Sequence, residues 1–259
     1  MNQMTIGADP ELFMCKGDFL VSAINRWGGT KETPIPLGIG DGFNVLEDNV
    51  MVEFNVPPAS TEQQFLEHIQ MGLGTIEDRI KQMGFDISTR ASGRFDKSEL
   101  EDWQAFVFGC DPDYNAYTGE VNAKPRVDDD PTFRSCGGHI HVGCGKLTFE
   151  DARRAVAFCD LHLGIPSMFL DTDTERKKLY GKAGAFRIKP YGFEYRTLSN
   201  FWIFNPDLIS WVYHSTKRAI EHYKSGFDLS PFHEDIQYAI NNNDKDALMK
   251  LVKHFNLVV

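Results

Sequence analysis

The stretch that decides the fold is Phe186-Arg187-Ile188-Lys189-Pro190-Tyr191-Gly192-Phe193-Glu194-Tyr195-Arg196-Thr197-Leu198-Ser199-Asn200. Its second half alternates, which predicts a β-strand with Glu194 and Arg196 on the same face. Arg187 and Lys189 come just before this strand, and Lys182 lies a few residues earlier. This mixture suits a phosphate site that also holds a metal, because guanidinium binds phosphate oxygens and carboxylate binds the cation. An ordinary surface ion pair is the alternative interpretation.

The composition limits the class of protein. The chain has 259 residues, 42% of them hydrophobic, and neither a repeat nor a clear linker, which predicts one domain with a packed core. A formal net charge of −10 argues against general binding of nucleic acid or anionic membranes, but it permits an anion held by a local cluster. The chain lacks an apolar run of about 18 residues and an N-terminal signal pattern, which predicts a cytoplasmic protein.

The cysteines point to the same compartment. They are odd in number and form no Cys-x-x-Cys spacing, which favours reduced thiols over a disulfide framework or a thiolate zinc site. The five are Cys15, Cys110, Cys136, Cys144 and Cys159.

The first strand, Thr5 to Met14, carries two carboxylates among apolar residues. Asp9 and Glu11 are two apart and share a face. Pro10 lacks an N–H, which predicts a strand edge or a bulge. Adjacent carboxylates repel unless a cation lies between them, so the pair is a candidate for metal binding, with solvated acids as the alternative.

A second strand, Val50 to Val56, places Glu53 between apolar neighbours. A buried carboxylate without a partner is costly, so Glu53 is either an edge residue or a metal ligand. Glu47 and Asp48 lie just upstream and are weaker candidates.

The segment Arg134-Ser-Cys-Gly-Gly-His-Ile-His-Val-Gly143 is the second dense motif. His139 and His141 alternate on one strand face, and the Gly-Gly pair permits close approach of backbone or ligand. Paired histidines bind metals or phosphate, although a buried histidine also occurs as a structural residue. Histidine combined with several carboxylates fits Mg²⁺ or Mn²⁺ better than zinc.

The remaining segments are predicted to form structural helices or loops that border the site. Ser60 is predicted to cap a helix that runs to about Met83, and packing helices are predicted from about residue 205. Residues 109–117 are a turn or a wall for a planar ligand. The basic segment 176–189 is interpreted as a mobile loop that closes over phosphate.

Four motifs in this order resemble the glutamine synthetase and glutamate–cysteine ligase superfamily. The acid-Pro-Glu strand at 9–11, the His-x-His strand at 139–141 and the Glu-x-Arg strand at 194–196 are similar to those of glutamine synthetases. Residues 52–57 resemble a glutamate–cysteine ligase segment. The runs 180–187 and 195–202 resemble the phage-type carboxylate–amine ligase (type 2) family, and the resemblance spans about residues 5–205.

The resemblance implies an α+β fold: a glutamine synthetase-like catalytic domain over residues 1–259, with a curved antiparallel sheet (half-barrel) and helices on its outer face. It implies a ligase that uses ATP and Mg²⁺ or Mn²⁺ to form an amide or isopeptide bond through an acyl-phosphate. The partners would be ATP, a carboxylate and an amine from an amino acid, peptide or protein side chain. A phage protein acting in the host cytoplasm is expected on the same ground, and an oligomer stays open.

The resemblance also implies roles for individual residues. Glu11 and Glu53 would bind one divalent ion, and Asp9, His139 and Glu194 a second. ATP phosphates would contact His141, Lys182 and Lys189, while Arg187 and Arg196 would stabilise the transferred phosphoryl group and the acyl-phosphate. Asp9 replaces a longer glutamate of the family pattern. The sequence also starts at the first catalytic strand, without the N-terminal domain of glutamine synthetase, so that enzyme's oligomeric form is not transferred.

Other functions fit the same motifs. A guanidino or carboxylate kinase would stop after phosphoryl transfer, a metal-dependent hydrolase would use the histidine pair without ATP, and a binding protein would carry a degenerate site. Amide formation needs a general base, for which an acid near residues 41–48 is a candidate.

Overall fold

The computed structural model describes residues 4–107, 112–123 and 130–259. The strands in these ranges are β1 Thr5–Lys16, β2 Phe19–Val21, β3 Ile35–Pro36, β4 Asn44–Asp48, β5 Met51–Ala59, β6 Asp86–Ser88, β7 Ser92–Arg94, β8 Tyr114–Asn115, β9 Phe133–Ser135, β10 Gly138–Gly143, β11 Ala185–Lys189 and β12 Gly192–Tyr195. The α-helices are α1 Glu62–Gln82, α2 Phe149–Cys159, α3 Ile165–Leu170, α4 Pro206–Lys224, α5 His233–Asn242 and α6 Lys245–Phe255.

A large antiparallel sheet organises these elements. Its strand order is β3-β4-β5-β1-β10-β12-β11-β8, and β2 and β6 also pair with the far end of β1. Every neighbouring pair in this order is antiparallel. The α+β class with a large antiparallel sheet, expected from the sequence, is therefore confirmed.

The two faces of the sheet differ in chemistry because side chains alternate along each strand. On one face, apolar side chains such as Leu12, Val52 and Ile140 enter the main core. Helix α1 packs against β1 and β5, and α2 packs against β11 and β12, so helices cover this apolar face. The residues between the apolar ones project to the opposite face, and there the charged motifs of the separate strands meet.

Two local expectations need correction. Strand β1 is central, between β5 and β10, so the edge position expected from Pro10 is wrong. The alternative expectation, a bulge at Pro10, differs from the structure too: Pro10 pairs in register with Gly138 of β10, and the register shift against β5 lies between Ile6 and Ala8. The N-cap of α1 is Thr61, not Ser60, because Thr61 Oγ1 accepts the Gln64 N–H at 3.2 Å.

Other helix boundaries follow their sequence signals. Thr148 caps α2 through the Asp151 N–H, and Asn205 caps α4, which begins at Pro206. Helix α2 continues through one π-helical turn, Asp160–Gly164, that leads into α3. The chain after α1 forms the two short strands β6 and β7.

Cys15, Cys136, Cys144 and Cys159 are free thiols, as expected, whereas Cys110 lies outside the described residues. Within the described ranges, the search for membrane-spanning helices finds none of sufficient length and apolarity.

Candidate active site

The register of the sheet places the motif residues opposite one another on the polar face. Glu11 of β1 faces Glu53 of β5, and Asp9 faces His139 of β10. On the next pair, His141 faces Glu194 of β12. Residues far apart in sequence thus become direct cross-strand neighbours, close enough for their side chains to interact.

Asp9, His141 and Glu194 form the first carboxylate cluster. One ligand atom from each lies within 4.8 Å of the other two, and Asp9 Oδ2 is 3.0 Å from His141 Nε2. Burial alone would raise the pKa of Asp9, but His141 and His139 together hold it well below its ordinary value. For His141, burial acts against the charge, yet Asp9 and Glu194 raise its pKa. His141, which was expected to contact phosphate, thus lies in this cluster, and the expected metal ligand His139 lies beside it.

His139 lies beside this cluster and is almost fully buried. Its Nδ1 is 3.5 Å from Asp9 Oδ1, 3.9 Å from Glu194 Oε1 and 3.3 Å from an Arg196 nitrogen. Burial and the Arg196 charge lower its pKa, which favours the neutral imidazole. The distances from the imidazole to Asp9 and Glu194 are short enough for all three side chains to share a ligand.

Glu11, Asp48 and Glu53 form the second carboxylate cluster, again with ligand atoms within 4.8 Å of one another. Glu11 Oε2 accepts the Gly137 N–H at 2.6 Å, which fixes its carboxylate next to the Gly-Gly pair. Burial and repulsion from Asp9 and Asp48 raise the pKa of Glu53 well above its ordinary value. Three carboxylates this close are held together most effectively by a divalent cation.

Cationic side chains surround Glu194, which is completely buried. Arg196 forms a close ion pair with it, Lys189 Nζ is 2.9 Å from Oε2, and Arg187 is 3.4 Å from Oε1. Burial would raise the pKa of Glu194, but Arg196 together with His141 and His139 keeps that pKa low. Arg196 also approaches Asp113 at 3.7 Å. The carboxylate at the centre of this group is therefore ionised.

The basic segment before β11 is partly built into the fold. Arg176 is buried and donates to the carbonyls of Cys136 and Thr197, and β11 occupies residues 185–189. The expectation of one mobile loop over 176–189 is therefore wrong. Lys182 is exposed and, in the described part of the chain, has no ion pair with either cluster.

A cleft next to the second cluster contains residues that the motifs did not reveal. Lys31, Tyr180 and Arg176 line it together with Glu11, Asp48, His139 and Arg196. Asp48 could have been found from its position just before β5. Lys31 lies in a Gly- and Pro-rich segment, and its own position carried no signal for a site. Part of the 109–117 segment proposed as a ligand wall, residues 109–111, lies outside the described residues.

A second groove, next to the first cluster, is mostly apolar. Gly7, Ala8, Val56 and Pro58 line it together with His141 and Tyr191. The Tyr191 ring centroid is 6.1 Å from that of His141, and its hydroxyl hydrogen-bonds to His141 Nδ1. The site thus has an apolar end beside His141 and a charged end beside Glu11.

The donor atoms fit hard divalent cations. Carboxylate oxygens dominate both clusters, with one imidazole, which is the combination that Mg²⁺ and Mn²⁺ accept. Asp9 Oδ1, His141 Nε2 and Glu194 Oε2 are buried without a well-formed hydrogen bond among the described residues. Each still has one ion-pair contact: Asp9 Oδ1 with His139 at 3.5 Å, His141 Nε2 with Asp9 Oδ2 at 3.0 Å, and Glu194 Oε2 with Lys189 at 2.9 Å. Such atoms are suited to metal coordination, because burying them without a partner is costly.

Paired carboxylate clusters beside a group of cations can hold both divalent ions and anionic oxygens. Residues 131–258 match the protein family described as phage phiEco32-like COOH.NH2 ligase-type 2, which confirms the family recognised from the motifs. The match includes the His-x-His and Glu-x-Arg strands and supports a carboxylate–amine ligase class.

A solved structure described as a novel glutamine synthase homolog resembles the chain with a TM-score of 0.41 and 12% identity. The resemblance covers 97% of this chain, which spans 66% of that one. A search of curated protein sequences gave no match.

Proposed function

We propose that this protein is an ATP-dependent carboxylate–amine ligase that uses Mg²⁺ or Mn²⁺ and forms an acyl-phosphate intermediate. The proposal rests on one observation: neighbouring strands bring both carboxylate clusters next to one group of cationic side chains. Arg196, Arg187 and Lys189 converge on Glu194, while Asp9 and Glu11 hold the clusters side by side on β1. Cations and acidic metal ligands together are what transfer of a phosphoryl group requires.

We assign one substrate to each end of the site. The apolar groove with Tyr191 suits the planar base of ATP, and His141 at its inner end would meet the phosphates. The charged cleft lined by Lys31, Arg176 and Tyr180 would take the carboxylate substrate. ATP and carboxylate would then approach each other over the two clusters.

The reaction has two bond-forming steps. A carboxylate oxygen attacks the γ-phosphorus of ATP, the bond to the β-phosphate oxygen breaks, and ADP leaves. The amine nitrogen then attacks the acyl carbon, phosphate leaves with the electrons of the broken C–O bond, and the nitrogen loses a proton. Arg196 and Arg187 would neutralise the transferred phosphoryl oxygens, and His139 and His141 would orient the first cluster. When bound, divalent ions supply charge neutralisation at the phosphate oxygens.

Residues 41–48 contain the acids among which the general base was expected. Asp48 belongs to the second cluster, and Glu47 accepts three backbone N–H groups. Both carboxylates therefore have other partners in the structure, and an acid near residues 41–48 as the general base stays a prediction.

The proposal is tested by ADP release from Mg-ATP with a panel of carboxylic acids and amines, with products identified by mass spectrometry. Using a carboxylate labelled with ¹⁸O adds a direct test, because an acyl-phosphate transfers one labelled oxygen to inorganic phosphate. Glu194→Gln should abolish turnover, whereas Glu150→Gln, an exposed acid of α2, should not.

Each outcome has a defined meaning. Turnover that requires both an acid and an amine supports the ligase, and ADP release with the acid or a guanidino compound alone would indicate a kinase. Hydrolysis without ATP, or no nucleotide binding at all, would overturn the proposal. The single domain, the phage origin and the cytoplasmic location stay predictions.

A further inference from the structure

A tight turn brings Lys31 to the charged cleft. Thr30 and Thr33 exchange both backbone hydrogen bonds, each at 3.2 Å, so Lys31 and Glu32 form the tip between them. The hydroxyls of the two threonines also lie 3.1 Å apart. From this tip the Lys31 ammonium reaches Asp48 Oδ2 at 3.2 Å and lines the same cleft as Glu11 and Arg196.

The loop that carries this turn is fastened to β4 by one carboxylate. Glu47 Oε1 accepts the backbone N–H groups of Arg26 at 3.0 Å, Trp27 at 2.8 Å and Gly28 at 2.7 Å. Consecutive N–H groups that converge on an anion form a backbone nest, and here an internal carboxylate fills it. Glu47 adjoins Asp48, so the same end of β4 anchors the loop and supplies the ion-pair partner of Lys31.

A close approach of the backbone adds a second attachment. Gly29 has a φ of 78°, and a Cβ there would lie 3.1 Å from the Val45 carbonyl oxygen. A larger residue would therefore push the loop away from β4. An ordinary surface ion pair needs no such anchoring, because two flexible side chains can find each other in water.

We propose that Lys31 binds an anionic oxygen of the reacting groups, on the substrate carboxylate or the transferred phosphoryl group, and that Glu47 is a positioning residue that acts through Lys31. An ammonium has three N–H donors, and among the described residues Asp48 is its ion-pair partner, which leaves donors for a ligand. The inference rests on the proposed function and adds a site residue that the motifs did not contain.

The test measures ligand affinity as well as turnover. Calorimetry with Mg²⁺ compares a non-hydrolysable ATP analogue with ADP, and steady-state kinetics gives the KM of the carboxylate found by the ADP-release assay. Lys31→Met is compared with Glu32→Gln, which alters the neighbouring exposed residue of the same turn. Lys31→Met should weaken one of these ligands about 10- to 100-fold, as expected for one charge-assisted hydrogen bond, and Glu32→Gln should weaken neither.

The ligand that weakens identifies the contact. Weaker binding of the ATP analogue with unchanged ADP binding indicates the transferred phosphoryl group, whereas a raised KM for the acid indicates the carboxylate. If Lys31→Met changes neither, the proposal is wrong. If the wild-type protein binds neither nucleotide, the proposed function itself fails.

The role of Glu47 is tested by a double-mutant cycle. Glu47→Ala should reproduce the loss seen in Lys31→Met and add little in the Lys31→Met background, because both act through one contact. Glu47→Gln keeps an acceptor oxygen and should retain most of the affinity. A Glu47→Ala effect that persists in full without Lys31 would show a general structural role instead.

Discussion

Asp9 and Glu11 lie two residues apart on the same face of β1, yet their carboxylates belong to different clusters. Asp9 groups with His141 and Glu194, whereas Glu11 groups with Asp48 and Glu53. Strand β1 can serve both because it is central, with β10 on one side and β5 on the other. The Asp9 and Glu11 backbones therefore act as the bridge between the two candidate metal positions.

This arrangement predicts two separable metal sites. We expect the wild-type chain to bind two Mn²⁺ ions, and Asp9→Asn and Glu11→Gln each to lose one, because each removes a ligand from a different cluster. Electron paramagnetic resonance of free Mn²⁺ during a titration measures the stoichiometry. Equal loss of both ions in either variant would show that the clusters form one interdependent site, contrary to this prediction.

The ion pair of Glu194 predicts a stability effect at Arg196. Arg196→Met should reduce the free energy of unfolding by about 3 kcal/mol, because it removes the nearest cation from a fully buried carboxylate. Urea unfolding gives this value. Arg94→Met, which removes exposed pairs with Asp130 and Glu175, should lower the unfolding free energy far less, because water screens those pairs. Adding Glu194→Gln to Arg196→Met should restore stability, and an unchanged loss would contradict the assignment.

Asp160 predicts a pH dependence of stability away from the clusters. It is fully buried, and it accepts hydrogen bonds from Tyr117 and Tyr195, whose hydroxyls lie 2.8 and 2.6 Å away. Burial raises its pKa from 3.8 to about 6, although these hydrogen bonds oppose the rise. The folded state therefore holds the proton more tightly than the unfolded chain does.

This preference for the protonated form sets the direction in which the unfolding free energy changes with pH. The stabilising contribution of Asp160 is complete below the ordinary pKa and is lost as pH rises through about 6, an effect of about 3 kcal/mol. We expect the unfolding free energy of wild type minus that of Asp160→Asn to fall by this order between pH 3.5 and 7. Denaturant unfolding at several pH values measures the difference, and a flat profile would contradict the prediction.

The corrected helix cap gives a matched pair of variants. Thr61→Ala should destabilise the protein by about 1 kcal/mol, because the first turn of α1 loses the acceptor for the Gln64 N–H. Ser60→Ala should have a smaller effect, since its side chain does not cap the helix. Thermal unfolding compares the two variants directly. A larger loss of stability in Ser60→Ala would show that Ser60 is the N-cap, as expected from the sequence.

Much of the site could be read from strand periodicity. Alternation alone places Asp9 with Glu11, His139 with His141 and Glu194 with Arg196, because side chains two residues apart share a strand face. The structure brings all of these residues to the polar face. Alternation does not say which strands are neighbours, so the grouping of His141 with Asp9 and Glu194, with His139 beside them, needed the tertiary structure.

Some errors came from reading local chemistry without neighbours. Pro10 cannot donate a hydrogen bond, which is why an edge or a bulge was expected, yet it lies in a central strand and pairs in register with Gly138 of β10. Likewise, Arg176 belongs to a basic run that indicates an exposed loop, but backbone carbonyls from two other segments accept its donors in the interior.

The sequence by itself determined the strand faces, the helix signals and the set of chemically active residues, because these depend on neighbours one to four positions away. Tertiary structure alone decided how those residues are grouped. It joined Asp48 to Glu11 and Glu53, brought Lys31 to the cleft through a loop anchored by Glu47, and left Lys182 outside. Such groupings depend on strand order and on long-range hydrogen bonds, which no local pattern encodes.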